Sequence, residues 1–181
     1  GRGLAAALTF GADGIAMGTR FMMSADSPTP KATKAEYLKS NVLQIPVSTK
    51  LDGLPQRMIL NRTLNDLERS SSLGMLIRAL QNGLKYKSQT GMSMAQTIKT
   101  AWAMASKTDM TLGQTMMAAN APIIIQRAMV DGCPDDGVLP SGQIAGLIND
   151  LPSCADIINK IIVDAEGHLT RVAHRGLTNA D

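Results

Sequence analysis

Apolar residues follow a helical rhythm at both ends of the chain and a broken one between. Gly3 to Phe10 is rich in Leu and Ala, with Leu4 and Leu8 four residues apart, and Gly11 stands where a helix would end. At the far end Ile158, Ile161, Ile162, Ala165, Leu169 and Val172 recur at helical spacing. They predict one long helix from Pro152-Ser153, capped by Ser153, whose continuous apolar face docks on something large. Between Gly14 and Gly18 the run Ile15 to Met17 is too short for a helix and is bounded by turn residues. It predicts a buried strand ending at Gly18-Thr19. Helix, tight turn, strand is the order that closes each unit of a parallel α/β sheet or barrel, where ligands bind at the carboxyl ends of the strands.

The middle of the chain changes character. Ser24 to Pro30 is rich in Ser, Pro and Asp and marks an exit from the sheet. A short helix is expected at Lys34 to Ser40. Val42 to Val47 and Arg57 to Leu60 are β-like, but Pro46 and Pro55 demote them to edge or irregular segments. From Thr63, Leu64, Leu67, Leu76, Leu80 and Leu84 fall near one stripe, interrupted around Gly74, and a second helix from Ser93 carries Met94, Ile98, Ala101, Trp102 and Ala105. Thr111 is placed to cap a third helix, Leu112 to Ala119, and Pro122 to start another apolar stretch, Ile123 to Val130. Asp131 to Pro140, with three Asp, two Gly and two Pro, is a loop. Gly142 to Ile148 is apolar again, and Arg175 to Asp181 reads as a frayed tail.

Composition narrows the function classes. With 44% apolar and 18% charged residues over 181 positions, the chain reads as globular rather than disordered. Its formal charge of +3 comes from basic residues spread along the sequence, and only 3% of residues are aromatic, so platforms for stacking bases are nearly absent. Nucleic acid is not an expected partner. No membrane-spanning run or signal peptide is visible, and Cys133 and Cys154 show no metal or redox spacing. A soluble cytoplasmic protein with no membrane partner is expected. The chain opens on Gly1-Arg2-Gly3 without an initiator Met, already at the entrance of a helix. That opening suggests the back part of a longer protein.

Several residues invite chemistry. Gly18-Thr19 at a strand end suits a phosphate held by backbone amides and a hydroxyl, or is a plain glycine turn. Gly1-Arg2-Gly3 with Ala6 has the look of a dinucleotide fingerprint, but no strand precedes it and no acidic residue ends a second strand. His168 and His174, six apart, lie on different helix faces and form no metal pair. A cationic His near a helix C-terminus is favourable by itself, so surface positions are expected for both. The twelve Met read as core filler. Pro140-Ser141-Gly142-Gln143 either reaches a cofactor or merely turns the chain. No general base is recognisable.

Taken together, Gly1-Arg-Gly-Leu-Ala-Ala-Ala7, Gly11-Ala-Asp-Gly-Ile-Ala-Met-Gly-Thr-Arg-Phe21, Gly53-Leu-Pro-Gln-Arg57 with Asn61, and Ser141-Gly-Gln-Ile-Ala-Gly-Leu-Ile148 resemble the nitronate monooxygenases, formerly 2-nitropropane dioxygenases. The flavin-dependent enoyl-acyl-carrier-protein reductases share much of this pattern. Met-Gly-Thr after an Ala-Asp-Gly turn is the most specific block. The resemblance implies an α/β chain holding the last helix and strand of an FMN-binding TIM barrel, a mostly helical inserted domain, and a C-terminal helix returning to the barrel. Residues 1–23 would be the end of the barrel, 24–150 the second domain, 151–173 the returning helix and 174–181 a tail.

The same resemblance implies that Ala16, Met17, Gly18 and Thr19 contact the FMN phosphate; Ser141, Gly142 and Gln143 are expected in the substrate neighbourhood. It implies FMN-dependent oxidation of an alkyl nitronate, with dioxygen reoxidising the flavin and a carbonyl compound and nitrite as products. The family's active-site His lies on an earlier barrel strand outside this chain, as does its phosphate glycine pair, so no catalytic residue is assigned and the chain alone is expected to be inactive. Its missing partner would be the N-terminal barrel segment. Two alternatives are an enoyl thioester reductase or acyl-CoA dehydrogenase-like enzyme on the same scaffold, and a non-enzymatic helical interaction module.

Overall fold

Where capping residues and apolar periodicity agree, the chain is helical, as seen in a computed structural model that describes residues 1–71, 74 and 112–177. Helix α1 spans Arg2–Thr9 and ends as expected at Gly11, whose φ of +89° only glycine adopts without strain. Helix α2 is the short Thr19–Met22 and α3 is Lys31–Lys39. Two-residue strands β1, Val47–Ser48, and β2, Gln56–Arg57, pair antiparallel with Val47 opposite Arg57 and Ser48 opposite Gln56. Helix α4 covers Arg62–Glu68, α5 Leu112–Met129 and α6 Cys154–Leu177. Short 3-10 turns occupy Val42–Gln44, Pro134–Asp136 and Gln143–Leu147. The described residues are thus mostly helical with one small sheet.

The chain divides into two compact units, Gly1–Pro28 with Asn149–Asp181, and Thr29–Ile148. In the first, α1 packs along α6: Ala5 and Ala165 are buried, and Gly1 lies so close to Asp164 that a Cβ there would come within 2.2 Å of the Asp164 Cβ. That close approach to α6 leaves room only for glycine at this position. In the second unit Leu51, Met58, Leu64, Leu67, Ala121, Ile124 and Val138 form the core, with Ile125 packed against it. A main-chain bridge between Met58 and Pro140 lays the 138–141 segment beside β2, with Ile59 N donating to Leu139 O at 3.0 Å and Ser141 N to Arg57 O at 2.9 Å.

Three expectations are corrected. Residues 15–17 form no strand: among the described residues no ladder partner lies beside them, and Ile15 is 43% exposed. A strand needs a neighbour for its N–H and C=O groups, which the local pattern does not reveal. Residues 42–44 form a 3-10 turn and the strands are shorter than the β-like stretches, with Asn41 making a capping box on Gln44. Pro122 does not start a new helix but sits inside α5. A proline in a helix interior costs about 3 kcal/mol. Around it Ala121, Ile124 and Ala128 are buried, and burial of apolar surface opposes that cost. The stripe members Leu76, Leu80 and Leu84, the helix from Ser93, the Thr111 cap and the end of the tail lie outside the described residues.

Candidate functional site

After Gly11 the chain runs irregularly to Gly18, which opens α2 with φ −87° and ψ −69°. Met22 N donates to Gly18 O and Met23 N to Thr19 O, both at 3.0 Å. Ala16 and Gly18 are exposed, while Met17 and Thr19 are half-buried. A Cβ built on Gly18 would meet nothing within 4 Å, so a ligand has room to approach its main chain. Peptide N–H groups, a threonine hydroxyl and open space suit an oxyanion in their chemistry. The four residues expected to meet a phosphate are therefore brought together as one accessible turn.

Arg20 follows that turn. Its Nη1 lies 2.8 Å from Asp150 Oδ1 and its Nη2 donates to Asp150 O at 3.4 Å, with the Arg20 side chain 17% exposed. Nearby, Ala25 N donates to Pro152 O at 2.8 Å, and Asp26 Oδ2 accepts from Cys154 N at 2.5 Å. Ser153 Oγ accepts from Asp156 N at 3.1 Å, which is the expected cap of α6. The carboxylates of Asp26 and Asp156 also lie at the positive end of the helix dipole. Sequence reading missed Arg20, Asp26 and Asp150 as a group. No local signal links residues 130 positions apart.

Ser141, Gly142 and Gln143 belong to the other unit. Ser141 and Gly142 are half-buried and Gln143 is exposed. Ser141 Oγ donates to Gly142 O at 2.8 Å, and the Tyr37 hydroxyl donates to Pro140 O at 2.7 Å. The preceding loop is held by Asn61, whose Nδ2 donates to Pro134 O at 2.6 Å and to Gly137 O at 2.7 Å while its Oδ1 accepts from Leu64 N at 2.9 Å. Arg127 adds a contact to Asp136 at 3.0 Å. The segment before the turn is thus anchored by hydrogen bonds, and Gln143 is exposed.

The first unit also carries an apolar cleft of about 210 Å³ lined by Leu4, Ile15, Met17, Phe21 and α6 residues Ile158 and Ile162, among others. Much of the α6 face is open: Ile158 is 45% exposed and Val172 69%. His168 sits well inside α6, with Arg171 Nη2 2.7 Å from its Nδ1. Desolvation, then the positive charge of Arg171 and Arg2, hold its imidazole below the usual range. His168 thus departs from the helix-end surface position expected for both histidines, whereas His174 stands exposed in the last turn of α6 as expected. Among the described residues no group of three or more His, Cys, Asp or Glu is placed to hold a metal ion, and no helix is long and apolar enough to cross a membrane.

The model of one protein family, "Nitronate monooxygenase", matches residues 1–164, a stretch holding both the Gly18 turn and the Ser141 turn. The chain belongs to the nitronate monooxygenase family. Two curated relatives carry the name (3aS,4S,5R,7aS)-5-hydroxy-7a-methyl-1-oxo-octahydro-1H-indene-4-carboxyl-CoA dehydrogenase. The one from Rhodococcus jostii (strain RHA1) is 44% identical over 91% of this chain and 47% of its own length. The one from Mycobacterium tuberculosis (strain ATCC 25618 / H37Rv) is 41% identical over 93% of this chain and 48% of its own. The chain spans about half the length of these relatives. Monooxygenase and dehydrogenase both name oxidoreductases.

The fold resembles part of FabK from Thermotoga maritima. TM-scores are 0.61 to its M276A mutant and 0.58 to FabK itself, each at 20% identity and covering 97% of this chain. The likeness spans 41% and 44% of those chains, and at that identity it speaks for the fold alone.

Proposed function

We propose that this chain is part of an FMN-dependent oxidoreductase that dehydrogenates a coenzyme A thioester bearing a fused-ring acyl group. The observation that carries this reading is the 44% identity, over 91% of the chain, with a dehydrogenase named for such a substrate. It favours the acyl-CoA alternative over nitronate oxidation. Ala16, Met17, Gly18 and Thr19 would hold the flavin phosphate through main-chain N–H groups and the Thr19 hydroxyl, a role supported by the open space at Gly18. Ser141, Gly142 and Gln143 would border the substrate. When bound, the flavin supplies a two-electron acceptor. The exposed apolar residues Ile15, Ile158, Ile162 and Val172 fit a surface that meets the rest of a TIM barrel in the whole protein. Neither His168 nor His174 is assigned as a base.

The test uses the full-length gene product loaded with FMN. Anaerobic addition of a hydroxylated fused-ring acyl-CoA should bleach the flavin's visible absorbance, and an alkyl nitronate in air should release no nitrite. Nitrite release without response to the thioester would move the assignment to the second reading, nitronate oxidation by dioxygen, which the family match favours. A protein that retains no flavin would overturn both.

A further inference from the structure

We propose that Asp150 is a positioning residue for the Gly18-Thr19 turn, acting through Arg20. The inference rests on the reading of that turn as the flavin phosphate site. Arg20 is the next residue after Thr19, and its guanidinium meets Asp150 twice, at the carboxylate across 2.8 Å and at the main-chain carbonyl across 3.4 Å. Bonds to both the side chain and the backbone of one residue fix the direction of a guanidinium as well as its charge.

Just beyond α2, Ala25 and Asp26 are tied to Pro152 and Cys154. The short helix is therefore held from both sides, at Arg20 and at residues 25–26. Gly18 and Thr19 are linked to it through the bonds their carbonyls accept from Met22 and Met23. Removing the Asp150 side chain leaves the Arg20 anchor only the longer bond to the main-chain carbonyl, so the peptide groups of residues 18 and 19 are less firmly aimed.

A second effect opposes this one. An unpaired Arg20 would attract the phosphate more strongly. Asp150 is 65% exposed, so its charge already screens little of that attraction in salt solution. Hydrogen bonds from aimed donors to a charged oxygen are worth more than an exposed ion pair. Loss of aim therefore wins.

The experiment compares FMN with riboflavin, which lacks the phosphate, by fluorescence quenching on the full-length protein. Asp150→Ala should lower the FMN-to-riboflavin affinity ratio by about three- to tenfold while leaving riboflavin binding unchanged. Asp150→Glu should restore part of the ratio. Lys160→Gln, which removes the exposed pair with Asp164 in the same unit, should not move it. If Asp150→Ala does not fold, Asp150→Asn keeps the shape and should show a smaller fall in the same direction. Equal loss of both flavins, or an unchanged ratio in a wild type that prefers FMN, would overturn the role of Asp150 alone. A wild type with no preference for FMN would overturn the phosphate turn itself, and this role with it.

Discussion

The hydroxyl of Tyr37 donates to the carbonyl of Pro140 across 2.7 Å, tying α3 to the residue just before Ser141-Gly142-Gln143. Tyr37 is fully buried, so its ring also fills the core around that bond. Tyr37→Phe keeps the ring and leaves the Pro140 carbonyl without this donor. It should lower stability by about 1–3 kcal/mol, measured by urea unfolding.

The same phenol makes a pH prediction. Burial raises its pKa above the ordinary value of 10.0. Below pH 10 both folded and unfolded states keep the proton, so the contribution is fully present. As pH rises past 10 the unfolded state ionises first, and stability is lost toward the folded pKa. Wild type should therefore weaken more steeply than Tyr37→Phe in alkaline unfolding titrations. Parallel alkaline limbs would contradict this.

Asn61 does two jobs, capping α4 and donating to the carbonyls of Pro134 and Gly137. Asn61→Ala removes all three bonds and should cost about 2–4 kcal/mol. Asn61→Asp keeps the cap acceptor but sets a carboxylate oxygen against the Pro134 and Gly137 carbonyls, so it too should fall well below wild type. Chemical denaturation of the three proteins orders them.

Two glycines should respond in opposite ways. A Cβ on Gly137 would come within 2.1 Å of Ile124 O and 3.0 Å of Ala128 Cβ. Gly137→Ala must displace main chain and should destabilise by about 1–3 kcal/mol. Gly18 has open space and a φ of −87°, so Gly18→Ala should leave the melting temperature unchanged. Gly18→Asp sets a like charge where a phosphate would lie, and the protein should purify without flavin. A yellow Gly18→Asp protein with full flavin content would remove this turn from the site.

His168 should titrate below 6.5, the usual value for histidine, because desolvation and the neighbouring Arg171 and Arg2 oppose its charge. With the folded pKa below the unfolded one, the unfolded state binds the proton first as pH falls below 6.5, so this residue subtracts stability on the acid side. Arg171→Gln should raise the imidazole midpoint seen by NMR. A midpoint that stays in place would show that the guanidinium 2.7 Å away has no influence on it.

Features written in neighbouring residues were legible from the sequence. Gly11 ends α1 and Ser153 caps α6 because a left-handed turn and a side-chain cap depend on the residues that make them. The family was legible too, through short blocks such as Met17-Gly18-Thr19, which lie within the matched stretch 1–164. Only the tertiary structure decided the rest. Ile15 to Met17 has the composition of a strand but no partner beside it among the described residues, and pairing is a property of two segments. Pro122 stays inside α5, where the burial of Ala121 and Ile124 in the core works against a local preference to break. Arg20 meets Asp150, and Asn61 meets Gly137, across 130 and 76 positions. The direction and reach of such bonds come from folding the chain back on itself, which no window of sequence contains.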